Sequence, residues 1–177
     1  KKSAPLLTST WSRVDSFLNK FDATTTNASK IIGGLPEGLN PVPQNKFNLW
    51  HDYLTSRGVR LEIGTDEAYR ALQENNAQGL FRQRMVDWET NSMERVIYLP
   101  KNPNASVFYE EGLHALDSLK GRSSRMELNG LEIDAFEYRA KNILIDSAPK
   151  RFTYEELREL ELQLELVKRN QYGRGAR

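Results

Sequence analysis

One short segment combines the residue types and the spacing that acid–base or metal chemistry requires. Within residues 107–117, Glu110 and His114 are four residues apart, and Glu111 lies three residues before His114. Residues at these separations share one face of an α-helix. The segment therefore predicts a helix that presents two carboxylates and an imidazole together, a combination suited to proton transfer or to metal binding.

The spacing matches that of the zinc-binding helix motif of metalloproteases, with Glu110 in place of the first histidine. In that motif the two outer residues bind the metal and the inner glutamate is the general base. Glu110 and His114 are therefore the candidate metal ligands, and Glu111 is the candidate base. A catalytic zinc ion needs a third protein ligand, for which Glu132 and Asp134, eighteen and twenty residues after His114, are the candidates.

Two adjacent glutamates on a helix usually form a solvent-exposed acidic face. Here the apolar residues Val107, Phe108, Leu113 and Leu116 flank the motif and favour burial of the helix. Close carboxylates repel one another unless a cation lies between them. In the metal-free protein we therefore expect a raised carboxylate pKa, or an Arg or Lys in the place of the metal.

The composition excludes several other kinds of chemistry. The 177 residues include no cysteine, which excludes disulfides, thiolate metal sites and thiol nucleophiles. The formal net charge is +1. The chain therefore lacks the excess of basic residues that is typical of nucleic-acid-binding proteins. No apolar run reaches the length of about 18 residues that a membrane span needs. His51, the only other histidine, is interpreted as a surface or boundary residue of an amphipathic helix.

The hydrophobic pattern predicts an α+β domain with about five helices and a small, mainly antiparallel sheet. Helices are expected at about 46–57, 65–75, 104–120, 131–147 and from 153 onward, and strands at 59–63, 80–88 and 94–99. Residues 122–130 are expected to form a polar loop. The helix that carries Glu110 should pack beneath the sheet and against the following acidic helix.

The first 43 residues are predicted to be separate from the main domain. They should form an N-terminal helix followed by an irregular arm or linker, because residues 32–43 contain three glycines and three prolines. Residues 44–177 then form the main domain. The chain begins with Lys1 rather than Met, so we expect it to be either a fragment of a longer parent protein or a processed product.

Four short segments can be compared with the motifs of known protein families. They are YLP at 98–100, FYEEGLHAL at 108–116, LEIDA at 131–135 and FTYEEL at 152–157. Together they resemble the zincin-like metallopeptidase toxin domains of bacterial polymorphic toxins, over about residues 50–167. The resemblance implies a zincin-like fold and a zinc ion. It also implies Asp134 as the third ligand, since an acid before a small residue commonly takes that place, with Glu132 as the alternate.

The same resemblance implies a biological setting. The domain would be delivered by a larger secreted toxin and would cleave a protein substrate in the cytoplasm of the target cell. A cognate immunity protein would protect the producing cell. We expect that inhibitor to cover the face that carries His114, or residues 122–130 beside it.

Two other classes of function stay open from the sequence. A toxin of another chemistry, either a nuclease or an ADP-ribosyltransferase, could use the same carboxylates and histidine. The near-neutral charge disfavours a nuclease, and Gly33 and Gly34 lack the strand-to-helix context of a phosphate-binding loop. A non-catalytic binding domain would keep the segment as an ordinary acidic helix and would bind no metal.

Overall fold

A computed structural model of the protein describes residues 40–147 and 151–170, which form five helices and five strands. The helices are α1 (Gln44–Thr55), α2 (Asp66–Asn75), α3 (Ala105–Leu119), α4 (Ala135–Ser147) and α5 (Tyr154–Lys168). The strands are β1 (Val59–Ile63), β2 (Leu80–Asp87), β3 (Ser92–Leu99), β4 (Arg125–Leu128) and β5 (Leu131–Asp134). The predicted N-terminal helix and most of the predicted arm lie outside the described residues. None of the helices in the described ranges is both long and apolar enough to cross a membrane.

The three longer strands form one sheet in the order β1-β3-β2, which confirms the predicted α+β class. β2 and β3 are an antiparallel pair, whereas β1 runs parallel to β3 with Leu61 opposite Ile97. This sheet is therefore mixed rather than mainly antiparallel. The parallel pair is possible because α2 and β2 lie between β1 and β3 in the chain and provide the long connection that parallel pairing requires.

Several helix ends follow the signals in the sequence. The Thr65 hydroxyl accepts a hydrogen bond from the Ala68 N–H at 3.1 Å and caps the start of α2. Gly58, with φ of +79°, follows α1 in the left-handed conformation that glycine tolerates best. Thr153 and Glu156 form a reciprocal capping box at the start of α5. These three predicted boundaries are confirmed.

The segment between α3 and α4 differs from the prediction. β4 and β5 form an antiparallel hairpin with Leu128 opposite Leu131. Its two turn residues, Asn129 and Gly130, have φ of +51° and +77°, as a tight two-residue hairpin turn requires. The predicted loop at 122–130 and the predicted helix start at 131 are therefore both wrong, and the helix begins at Ala135 instead.

Helix α3 lies at the centre of the domain. Thirteen of its fifteen residues are buried, and it packs against the sheet, α1 and α4. This arrangement confirms the prediction that the helix packs on the sheet and against the following helix. Gly112 permits the close approach of α1, since a Cβ at this position would lie 2.6 Å from a ring carbon of Trp50.

Candidate metal centre

The burial of α3 places the ionisable side chains of the predicted motif in the protein interior. Glu110, Glu111, His114 and Asp117 are all buried. A buried charge is strongly unfavourable unless a partner compensates it. Each of these groups should therefore have a partner of opposite charge nearby, and the structure supplies one in each case.

The centre of this region is a cluster formed by Glu110 and His114 of α3 and Glu137 of α4. One ligand atom from each of the three residues lies within 4.8 Å of the others. Lys141, one turn after Glu137 on α4, donates to Oε1 of Glu110 and, at 2.7 Å, to Oε2 of Glu137. Its side chain is 0% exposed. Lys141 therefore provides the positive charge that we expected an Arg or Lys to supply in place of the metal.

The orientation of the His114 ring is set by Glu111. The Nδ1 atom of His114 lies 3.3 Å from Oε2 of Glu111, and the ring stacks on Phe136 at a centroid distance of 6.2 Å. The opposite nitrogen, Nε2, is buried without a hydrogen-bond partner and lies 3.9 Å from Oε1 of Glu137. Metal-binding histidines commonly pair their other nitrogen with a carboxylate in this way.

The pKa values show how the cluster balances its charges. Burial lowers the pKa of His114, but its hydrogen bond with Glu111 and the nearby carboxylates outweigh this and raise it to about 9. Burial raises the pKa of Glu137 to about 7, against the opposing effects of His114 and Lys141. Burial would also raise the pKa of Glu110, but Lys141 and His114 hold it below its ordinary value. The raised carboxylate is thus Glu137, which was not among the predicted acids, and burial rather than repulsion between carboxylates is the main cause of its raised pKa.

The donor set fits a divalent cation. It consists of one imidazole nitrogen and two carboxylate oxygens; Glu110 and His114 are buried and Glu137 is half-buried, and the Nε2 atom of His114 has no competing hydrogen bond. Zinc accepts both kinds of donor, and three protein ligands leave a position open as in catalytic sites. The set suits other divalent transition metals as well and does not by itself select zinc.

The two residues predicted as the third metal ligand lie away from the metal centre and have other partners. Asp134 caps α4, where its Oδ1 accepts hydrogen bonds from the backbone N–H groups of Phe136 and Glu137 at 2.9 and 3.1 Å. Glu132 lies exposed on β5 and pairs with Arg125 at 3.0 Å. Glu137 therefore replaces both as the carboxylate nearest to Glu110 and His114. The reason is the hairpin, because it moves the helix start to residue 135.

A signal for this arrangement is present in the sequence. The dipeptide Asn129-Gly130 between two apolar residues is typical of a two-residue hairpin. Asp134 followed three residues later by Glu137 is a helix-start signature. Together these signals place Glu137 in the first turn of α4 and Lys141 one turn further on, on the same face.

The remaining predicted residues lie apart from the metal centre. His51 is 42% exposed and its Nδ1 lies 3.3 Å from Asp52, so the prediction of a surface histidine is confirmed. A further buried carboxylate, Asp117, lies two residues before the end of α3. It accepts hydrogen bonds from Arg122 at 2.8 Å and from Arg139 at 2.5 Å, which connects α3 to the following loop and to α4.

A cavity lies one helical turn from Glu111. Its volume is about 570 Å³, and its described lining includes Tyr69, Gln73 and Val107 but no charged side chain. Gly79 packs closely against both Val107 of the cavity wall and Glu111. A Cβ on Gly79 would lie 2.5 Å from Val107 and 2.9 Å from Cγ of Glu111. An uncharged pocket therefore adjoins the carboxylate that orients His114.

Comparison with known proteins identifies no relative of this chain. No protein-family model matches it, and no curated protein or solved structure is significantly similar to it.

Proposed function

We propose that this domain is a metal-dependent peptidase of the zincin-like type, with Glu110, His114 and Glu137 as the ligands of a zinc ion. The observation that supports this best is that a ring nitrogen of His114 and carboxylate oxygens of Glu110 and Glu137 lie within 4.8 Å of one another, while the Nε2 atom of His114 is buried without a hydrogen-bond partner. A buried polar atom without a partner is unfavourable. Once His114 has lost its proton, the ion would supply that partner.

The chain's own residues have distinct parts in the proposed reaction. Bound zinc would polarise the scissile carbonyl and acidify a water molecule. Glu111 lies 3.3 Å from Nδ1 of the His114 ring, and the opposite nitrogen, Nε2, lies 3.9 Å from Oε1 of Glu137. We assign the general-base role to the carboxylate of Glu111, which would have to turn away from Nδ1 of His114 to accept a proton from the attacking water and return it to the leaving amine.

The cavity beside Glu111 is the proposed place for the substrate chain. Its described lining is uncharged and combines amide, phenol and apolar side chains. Such a lining suits uncharged side chains and the polar backbone of an extended peptide. Because Val107 of the lining lies one turn before Glu111 on α3, a bound peptide would reach the catalytic region along the start of this helix.

The proposed setting is antagonism between bacteria. On the resemblance described above, a larger secreted toxin would deliver the domain to the target-cell cytoplasm, and an immunity protein would protect the producer. Co-purification with that protein, followed by alanine substitutions on the surface of residues 122–130, tests where it docks. Binding that tolerates all of these substitutions would exclude this surface.

The experiment that tests the peptidase compares the wild-type domain with Glu111→Gln in target cells. Mass spectrometry of the cellular proteins should find new N-termini with the wild type and none with the variant. Circular dichroism should show that both are equally folded. Peptides modified by ADP-ribose, or no modified proteins despite toxicity, would overturn the proposal in favour of another chemistry.

The strongest alternative is a non-catalytic binding domain, and one observation favours it. Lys141 already neutralises part of the negative charge of Glu110 and Glu137, as it would in a purely structural ionic cluster. In that case the metal-free protein should take up no zinc, even at concentrations well above that of the protein. Elemental analysis after dialysis against zinc separates the two functions.

A further inference from the structure

The feature that carries a further inference is the position of Lys141 in the metal centre. Its ammonium group donates hydrogen bonds to Glu110 and Glu137, two of the three residues that could hold a divalent cation. The side chain is completely buried, so the ammonium has exchanged its water shell for these carboxylates. Both contacts are charge-assisted hydrogen bonds, which are about twice as strong as neutral ones.

A metal ion and this ammonium would compete for the same oxygens. The ligand atoms of Glu110, His114 and Glu137 lie within 4.8 Å of one another. A metal ion bound to all three would therefore lie close to the ammonium group of Lys141. Two positive charges this close in a buried environment repel strongly. The ammonium must therefore move away before an ion can take all three ligands.

We propose that Lys141 is the resident cation of this site, and that a divalent metal binds at Glu110, His114 and Glu137 only by displacing its ammonium group. This inference rests on the proposed function, since it assumes the same three ligands. It adds a residue that sets the affinity of the site and that the motif itself does not contain.

Competition with Lys141 also selects the kind of metal. An ion that displaces the ammonium must replace two charge-assisted hydrogen bonds, so it has to bind these donors tightly. Zinc and similar transition-metal ions bind imidazole nitrogen well, whereas magnesium and calcium prefer sites made of oxygen atoms. The wild-type protein should therefore bind zinc and ignore magnesium and calcium.

The test measures zinc affinity by calorimetry on metal-free protein, without reference to activity. Lys141→Met and Lys141→Gln remove the competing charge, whereas Lys141→Arg retains it. The matched control is Lys168→Met, because Lys168 pairs with Glu165 at 2.8 Å on the surface of α5. We expect both neutral variants to bind zinc at least tenfold more tightly than the wild type. The arginine variant and the control should not gain affinity.

A second measurement uses the wild type alone and is decisive if the variants fail to fold. Lys141 should resist acetylation by an amine-reactive reagent in the metal-free protein and should become reactive when zinc saturates the site. Equal zinc affinity of the wild type and the neutral variants, or unchanged reactivity on zinc binding, would overturn the role of Lys141 and leave the metal site standing. If neither the wild type nor any variant binds zinc, the proposed metal site itself is wrong.

Discussion

Raising the pH of the metal-free protein should destabilise it, and His114 should account for much of the loss. Its pKa is raised in the folded state from 6.5 to about 9, because the hydrogen bond with Glu111 and the surrounding carboxylates outweigh the effect of burial. Between these two values the folded protein binds more protons than the unfolded chain. The free energy of unfolding must then fall as the pH rises.

The size of the effect follows from the same shift. One pKa unit corresponds to 1.36 kcal/mol, so the rise from 6.5 to about 9 is equivalent to about 3 kcal/mol. This stabilisation is fully present below pH 6.5 and is lost as the pH passes through about 9. Because small domains are stable by only about 5–15 kcal/mol, the loss should be easy to measure.

The assay is urea unfolding followed by circular dichroism at several pH values, with a chelator present to exclude metal. His114→Asn keeps a donor near Glu111 but cannot be protonated, so its stability should fall much less than that of the wild type. His51→Asn removes the chain's other histidine, which is exposed, and should behave as the wild type does. Identical slopes for the His114 variant and the wild type would refute the reasoning. A His114 ring that titrates near pH 6.5 by NMR would refute it as well.

Three further substitutions test how the fold supports the site. Asp117→Ala leaves Arg139 without its carboxylate and should destabilise the protein by about 3 kcal/mol in urea unfolding. Gly112→Ala places a Cβ 2.6 Å from Trp50 and should cost about 1–3 kcal/mol and shift the fluorescence of that tryptophan. Thr153→Ala should lower stability by about 1 kcal/mol, whereas Thr153→Ser should preserve it, since the cap requires only a hydroxyl.

The part of the candidate site that lies within one helix could be predicted from the sequence. Glu110, Glu111 and His114 share a face of α3 because their separations match the helical repeat. Their burial could also be predicted, since apolar residues surround them on the same helix. Both inferences depend on local geometry alone and require no knowledge of the rest of the fold.

The third carboxylate could not be predicted in the same way. Its identity depends on where α4 begins, and an error of four residues at that boundary moves the choice from Glu137 to Asp134 or Glu132. The turn Asn129-Gly130 contains the missing information, because it ends one strand and begins another before the helix starts. The contact between Lys141 and Glu110 connects two helices, and no pattern within either helix determines it.

The parallel pairing of β1 with β3 could not be predicted from the sequence for a similar reason. Alternating apolar residues identify a strand but not its neighbours, and a pair that is separated by α2 and β2 leaves no local signal. The antiparallel pair β2–β3 is different, because a short polar turn joins its strands. Two strands joined by a short turn can thus be predicted to pair with each other. The pairing of two strands joined by a long crossover cannot be predicted in this way.

The energetics of the ionic cluster bear on the choice between the proposed metal site and a purely structural role. Replacing a buried ion pair with well-packed apolar residues is often neutral or stabilising, so a core does not need such a cluster. The Nε2 atom of His114 adds a further penalty of about 1–3 kcal/mol, because it is buried without a partner. A purely structural network would be expected to satisfy that atom. In this arrangement Lys141 holds the carboxylates of Glu110 and Glu137 together, and a divalent ion at the proposed site would have to replace both its ammonium group and the proton that the raised pKa keeps on His114.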